Sequence, residues 1–145
     1  MSAISFLLNL LWIVFGGLAM AAGWAIAGII MAITIIGIPW ARSAITIAKY
    51  ALLPFGSKAV SRAEYTGQET IGTGPLGVIG NIIWFVLAGW WLALGHLVFA
   101  LVLFITIIGI PFGWAHLKLA GLALWPIGKE IVPADAMPAG YRRRD

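Results

Sequence analysis

Thr34-Ile35-Ile36-Gly37-Ile38-Pro39 recurs letter for letter as Thr106-Ile107-Ile108-Gly109-Ile110-Pro111. Each occurrence ends a long apolar run and precedes the first Lys or Arg after it, which places both motifs at a boundary between hydrocarbon and water. Proline has no N–H, and its ring clashes with the carbonyl four residues back. A helix running through the motif is therefore predicted to lose its bond to Ile35 or Ile107 and to kink, with Gly37 and Gly109 easing the bend.

Working outward from the motif, subtracting 72 from each position of Asn81 to Val132 lays that stretch on Asn9 to Val60 without a gap, with about a third of the residues identical. The chain is a tandem duplication. Asn9 falls on Asn81, Trp12 on Trp84, Gly17 on Gly89, Gly23 on Gly95, Pro54 on Pro126 and Gly56 on Gly128. The matched landmarks are Gly, Pro, Trp and polar residues at membrane depth, the types that set backbone geometry.

Composition fixes the class. Of 145 residues, 62% are hydrophobic and 10% charged, far from globular averages. Every Lys, Arg, Asp and Glu lies in Arg42 to Glu69 or Lys118 to Asp145. A charged side chain at a bilayer centre costs at least about 2.5–3.5 kcal/mol, so two charge-free blocks are what two lipid-embedded units require. The net charge of +4 sits on the flanks and suits anionic lipid headgroups rather than nucleic acid. With no cysteine, disulfides, thiolate catalysis and zinc-thiolate sites are excluded. Ala19-Met20-Ala21 has the form of a signal-peptidase site, but the segment lacks a basic leader and recurs internally, so it is read as a retained helix.

Lengths predict an all-α integral membrane protein. It would have four transmembrane helices, arranged as two tandem two-helix repeats, each followed by an amphipathic interfacial helix. Phe6 to Trp24 makes the first crossing, a turn around Gly23 to Gly28 follows, and Ala25 to Pro39 returns. From Trp40 to Leu53, Arg42, Thr46 and Lys49 share one face while Ala44, Ile47, Ala48 and Ala51 lie elsewhere. The second copy repeats this with Val78 to Gly95, Leu97 to Pro111 and Phe112 to Trp125. The divisions are 1–60, the first membrane repeat; 61–76, a cytoplasmic connection; 77–132, the second repeat; and 133–145, a basic tail containing Arg142-Arg143-Arg144. Ser57 to Arg62 and Lys129 to Pro133 are placed as short pairing strands. Because the hairpin turns carry no Lys or Arg, both basic regions and both termini are predicted on the cytoplasmic side, with the copies related by an axis along the membrane normal.

The order Asn-x-x-Trp, Gly, Thr-Ile-Ile-Gly-Ile-Pro, then Leu-Leu-Pro-Phe-Gly or Leu-Trp-Pro-Ile-Gly resembles the YccF family of small bacterial inner-membrane proteins, from about Leu8 to Val132. Gly89-Trp90-Trp91, His96 and Ala123-Leu124-Trp125-Pro126-Ile127-Gly128 belong to the same likeness. The resemblance implies two inner-membrane component domains in the cytoplasmic membrane and brings no reaction, cofactor or catalytic residue. Leu53 and Phe55 stand where the second copy has Trp125 and Ile127.

Four sets of residues are candidate sites. Thr34, Gly37, Pro39, Thr106, Gly109 and Pro111 are read as either a polar constriction between the copies or a packed kink. Gly17 with Ala21 and Gly89 with Ala93 have the spacing of close helix packing. Arg42, Lys49 and Lys118 are assigned to lipid phosphate or to an anion-attracting mouth. His96, aligned with Trp24, and His116, aligned with Ala44, are expected on opposite faces of the membrane, forming no pair. No catalytic constellation and no metal cluster is present, and an enzyme is the class supported least. Two functions remain: a homo-oligomeric component passing a small ion, and a structural component binding membrane lipids or another membrane protein.

Overall fold

The computed structural model describes residues 2–68 and 73–136. The first copy contains helices α1 (Ala3–Trp12), α2 (Leu18–Ile33) and α3 (Ile38–Leu52), then strand β1 (Ser57–Ser61) and a single-turn helix α4 (Arg62–Thr66). The second copy contains α5 (Pro75–Trp84), α6 (Trp90–Phe104), α7 (Ile110–Leu124) and strand β2 (Lys129–Pro133). The predicted basic tail beyond Ala136, with Arg142-Arg143-Arg144, lies outside the described residues.

The predicted turn at Gly23 to Gly28 is not formed. Ala3–Ile33 runs for 31 residues, kinked at Phe15 and Gly16 but helical through Gly23 to Gly28, and Pro75–Phe104 is its counterpart of 30 residues. At 1.5 Å per residue these are each about 45 Å along the contour, longer than a hydrocarbon core of about 30 Å. Among the described residues these two alone are long and apolar enough to cross a membrane. Gly23 and Gly28 stay helical because glycine disfavours a helix by only about 1 kcal/mol. Here Gly23 admits the Leu92 side chain and Gly28 admits Ile45.

The chain reverses instead at the repeated motif, and the predicted kink is a turn. Thr34 Oγ1 donates to the Met31 carbonyl at 2.6 Å and accepts from the Gly37 N–H at 3.1 Å. Thr106 does the same with Leu103 and Gly109, at 2.9 and 3.0 Å. A side chain on Gly37 or Gly109 would run into the Met31 or Leu103 carbonyl oxygen, hence glycine at both. Pro39 and Pro111 sit in the first turns of α3 and α7, where the missing N–H has no partner to lose and the fixed φ suits a helix start. α3 and α7 then pack back along α2 and α6. Ala44, Ile47, Ala48 and Ala51 are buried on α3 while Arg42, Thr46 and Lys49 are exposed, as the sequence spacing requires.

The Asn-x-x-Trp motif fastens each hairpin to the first helix of its own copy. Asn9 Nδ2 donates to the Phe55 carbonyl at 3.0 Å and Asn9 Oδ1 accepts the Phe55 N–H at 2.9 Å. Asn81 holds Ile127 at the same two distances. Three residues on, and so on the same helix face, Trp12 Nε1 donates to the Ala51 carbonyl and Trp84 Nε1 to the Ala123 carbonyl, at 2.6 and 2.7 Å. Each tryptophan thereby satisfies one of the carbonyls that a helix C-terminus leaves open.

The expected strand pairing is present. β1 and β2 are antiparallel, with Ala59 opposite Ile131 at the centre. Those two are equivalent residues of the two copies, so a pseudo-twofold axis passes through the ribbon. The same symmetry appears in the helices, where Gly23 receives Leu92 and Gly95 receives Met20, equivalent contacts on the two sides.

Candidate functional site

Helix breaks in lipid create a problem of unpaired carbonyls, and the two copies solve it differently. In the second copy Phe85–Gly89 forms a π turn. Two indoles reach back to cover its carbonyls: Trp90 Nε1 to Val86 at 3.2 Å, and Trp91 Nε1 to Leu87 at 2.9 Å. The first copy has Leu18 and Ala19 at those places and no such donors. Its break is sharper, with Phe15 at ψ +34° and Gly16 at φ +104°, a conformation suited to glycine. The Phe15 carbonyl is instead met by His116 Nε2, at 3.0 Å, from the other copy.

That contact is one end of a buried chain. Trp24 Nε1 lies 3.0 Å from His96 Nε2, and His96 Nδ1 lies 2.9 Å from His116 Nδ1. The indole N–H can only donate, and the Phe15 carbonyl can only accept. His96 Nε2 is therefore the acceptor, His96 Nδ1–H donates to His116 Nδ1, and His116 Nε2–H donates to Phe15. One pair of neutral tautomers satisfies all three bonds, and no other neutral pair does. The chain runs one way, from the indole of α2 through α6 and α7 to the broken first helix.

Apolar rings enclose it. His116 stacks on Phe99 at 5.1 Å and lies 4.1 Å from Trp12, ring centre to ring centre, while Trp24 stacks on Trp84 at 5.3 Å. Trp12, Trp24, Trp84, His96 and His116 are all 0% exposed. Gly16 also leaves the room His116 needs, since a Cβ there would lie 2.9 Å from Nε2 and 2.6 Å from the Phe99 ring. The equivalents of Gly16 and His116 are Ala88 and Ala44: where the histidine is absent, so is the glycine.

The expectation that His96 and His116 lie apart on opposite faces is thus corrected. It rested on the turn at Gly23 to Gly28; without that turn both imidazoles come to the crossing of the copies. A signal was present in the sequence, because Trp24 and Ala44, a large and a small residue, exchange together for two rings of middle size.

The remaining candidates are dispersed. Thr34 and Thr106 use their hydroxyls within their own turns, at tips where Ile35, Ile36, Ile107 and Ile108 are exposed. Gly17 abuts the Trp12 indole and Gly89 lies against the Ala123 carbonyl, with Ala21 and Ala93 buried. Arg42, Lys49 and Lys118 are exposed on α3 and α7.

Two tandem helical units with an apolar exterior, closed by a shared ribbon over a sealed aromatic and histidine core, define the class: a duplicated helical membrane protein. The chain belongs to the YccF family, whose inner membrane component domain matches residues 7–57 and again 79–129. It is similar to Inner membrane protein YccF of Escherichia coli (strain K12), with 38% identity over 144 residues that cover 94% of this chain and 96% of the relative. The protein of the same name from Shigella flexneri matches to the same extent. No solved structure matches the chain.

Proposed function

We propose that this protein is a structural component of the inner membrane that conducts nothing through its own body. The carrying observation is the filled junction between the copies: five rings at 0% exposure occupy the centre, where a pathway within one chain would run. The threonine hydroxyls that a constriction would need are spent in turns, which counts against a channel formed by the repeated motif.

The same reading gives a topology. α3 and α7, at 15 residues, are about 22 Å long, too short to recross the bilayer alone. The uncharged isoleucine tips are placed in hydrocarbon, while the N-terminus, ribbon and basic residues stay on the cytoplasmic side. Arg42, Lys49 and Lys118 then meet lipid phosphate.

Two assays test this. Proteoliposomes carrying the full chain should release potassium or protons at the rate of empty vesicles; a protein-dependent flux overturns the non-conducting reading. Because the chain has no cysteine, single-cysteine variants at Ser57 and Ile36 report position without background. Ser57→Cys should react with a membrane-impermeant maleimide only from the cytoplasmic side, and Ile36→Cys from neither side. Labelling of Ile36→Cys from outside overturns the immersed tips.

A further inference from the structure

We infer that the cleft beside the ribbon binds a phosphate dianion, carried either on a lipid headgroup or on a free phosphate compound. The cleft measures about 400 Å³ and is lined by Tyr50 of α3, Ser57 and Lys58 of β1, Lys118 of α7, Trp125 just beyond that helix, and Lys129 of β2. Four segments from both copies thus line one small volume, with Lys118 and Lys129 as its unpartnered cations, while Lys58 stands on the opposite face of the ribbon from Lys129. Among the described residues no carboxylate lines it. Glu130, which follows Lys129, is turned to Arg62 at 3.2 Å, the one ion pair among the described residues. Lys58 Nζ donates to the Ala136 carbonyl at 2.9 Å, which holds its ammonium in place, while the ammonium groups of Lys118 and Lys129 have no partner among the described residues.

Charge count selects the ligand. Lys118 and Lys129, two unpartnered lysines lining one cleft, repel one another, and a zwitterionic headgroup would leave that repulsion uncompensated. A phosphodiester supplies one negative charge; a phosphomonoester or diphosphate supplies two or more. Lysine ammoniums are compact point charges that suit phosphate oxygens, and the Tyr50 and Ser57 hydroxyls add donors at the rim.

The surroundings suit a lipid carrier. A second hollow of about 290 Å³ shares Tyr50, Ser57 and Lys118 and extends to Phe55, Pro111 and Trp114, so the basic cleft opens onto an apolar one. Trp114, Leu124 and Trp125 are exposed beside it. The cleft is a property of the fused pair: the equivalents of Lys58 and Lys118 are Glu130 and Thr46, so the symmetry-related place carries an acid beside the lysines, Lys49 and Lys129, that correspond to Gly121 and Ser57.

The test uses the full chain in nanodiscs and native mass spectrometry. With phosphatidic acid, phosphatidylglycerol and phosphatidylethanolamine offered together at pH 8, phosphatidic acid should be retained at least about tenfold over the other two. Lys118→Gln with Lys129→Gln should abolish that preference, while Arg42→Gln with Lys49→Gln, equal in charge lost and facing lipid phosphate outside the cleft, should weaken retention of all three lipids alike and leave the preference for phosphatidic acid in place. Calorimetry with pyrophosphate separates the sources. Pyrophosphate binding that is lost in the cleft variant, without lipid preference, assigns a soluble phosphate ligand; lipid preference alone assigns a headgroup. If the cleft variant is poorly folded, a rise in the unfolding midpoint of the unaltered chain with phosphatidic acid or pyrophosphate, absent with phosphatidylglycerol, carries the same information. No preference and no pyrophosphate binding, or equal loss in both double variants, overturns the inference.

Discussion

Replacing His96 and His116 by phenylalanine, singly and together, tests the one-way hydrogen-bond chain by counting orphaned groups. His96→Phe leaves the Trp24 indole N–H and His116 Nδ1 unpaired. His116→Phe leaves His96 Nδ1–H and the Phe15 carbonyl unpaired. The double variant also leaves only two, the indole N–H and the carbonyl. Each buried orphan costs about 1–3 kcal/mol, so each single variant should lose about 2–6 kcal/mol and the double variant about the same, not twice as much. The ring-for-ring exchange keeps most of the packing against Phe99 and Trp12. Unfolding in mixed micelles titrated with dodecyl sulfate, followed by far-ultraviolet circular dichroism, gives the three free energies. A coupling of at least about 2 kcal/mol is expected, against the roughly 0.5 kcal/mol within which independent sites add. Additive losses would show that the two imidazoles are not in one chain.

Other substitutions probe the geometry elsewhere. Gly16→Ala puts a side chain at φ +104° against Phe99 and His116; it should cost at least about 1–3 kcal/mol, while Ala88→Gly should cost only about 1 kcal/mol. Asn81→Leu strips both partners from the Ile127 backbone and should lower stability by about 2–5 kcal/mol, with faster amide exchange at Ile127 in deuterium-exchange mass spectrometry. Pro39→Ala with Pro111→Ala should cost about 0.4–1 kcal/mol per site, through the unfolded chain alone; a loss above about 3 kcal/mol in the same unfolding titration would contradict their placement at helix starts. The buried Trp40 Nε1 has no partner among the described residues, and the equivalent residue is Phe112. Trp40→Phe should therefore leave the unfolding midpoint unchanged or raise it.

What could be read from the sequence follows what each signal depends on. The duplication, the strand pairing and the polar face of α3 depend on repetition or local period, and all three are in the structure. The repeated motif is ambiguous as a string, because Gly-Ile-Pro reads the same whether proline bends a helix or begins one. The distinction lies in Thr34 and Thr106, whose hydroxyls bridge the end of one helix to the glycine before the next. Gly23 to Gly28 looked like a turn on composition, yet glycine inside an apolar helix also serves as a seat for a neighbour, here Leu92 and Ile45. The buried histidines stand 20 residues apart on different helices, and the carbonyl at the end of their chain belongs to residue 15. No periodicity connects those positions; only the paired departures from the repeat, Trp24 to His96 with Ala44 to His116 and Gly16 to Ala88, mark them.

The ribbon centred on Ala59 and Ile131 has a consequence for ancestry. Opposing equivalent residues is how two identical chains meet across a true twofold, so a single-unit precursor carrying the same loop could have closed the ribbon with a second molecule of itself. In such a homodimer any substitution occurs twice, once on each side of the axis. A histidine at the place of His116 would then have been matched by one at Ala44, and the glycine it needs by one at Ala88. Joining the units in one gene released that constraint, and the one-way imidazole chain and the unbalanced lysine cleft are features that two identical units cannot possess.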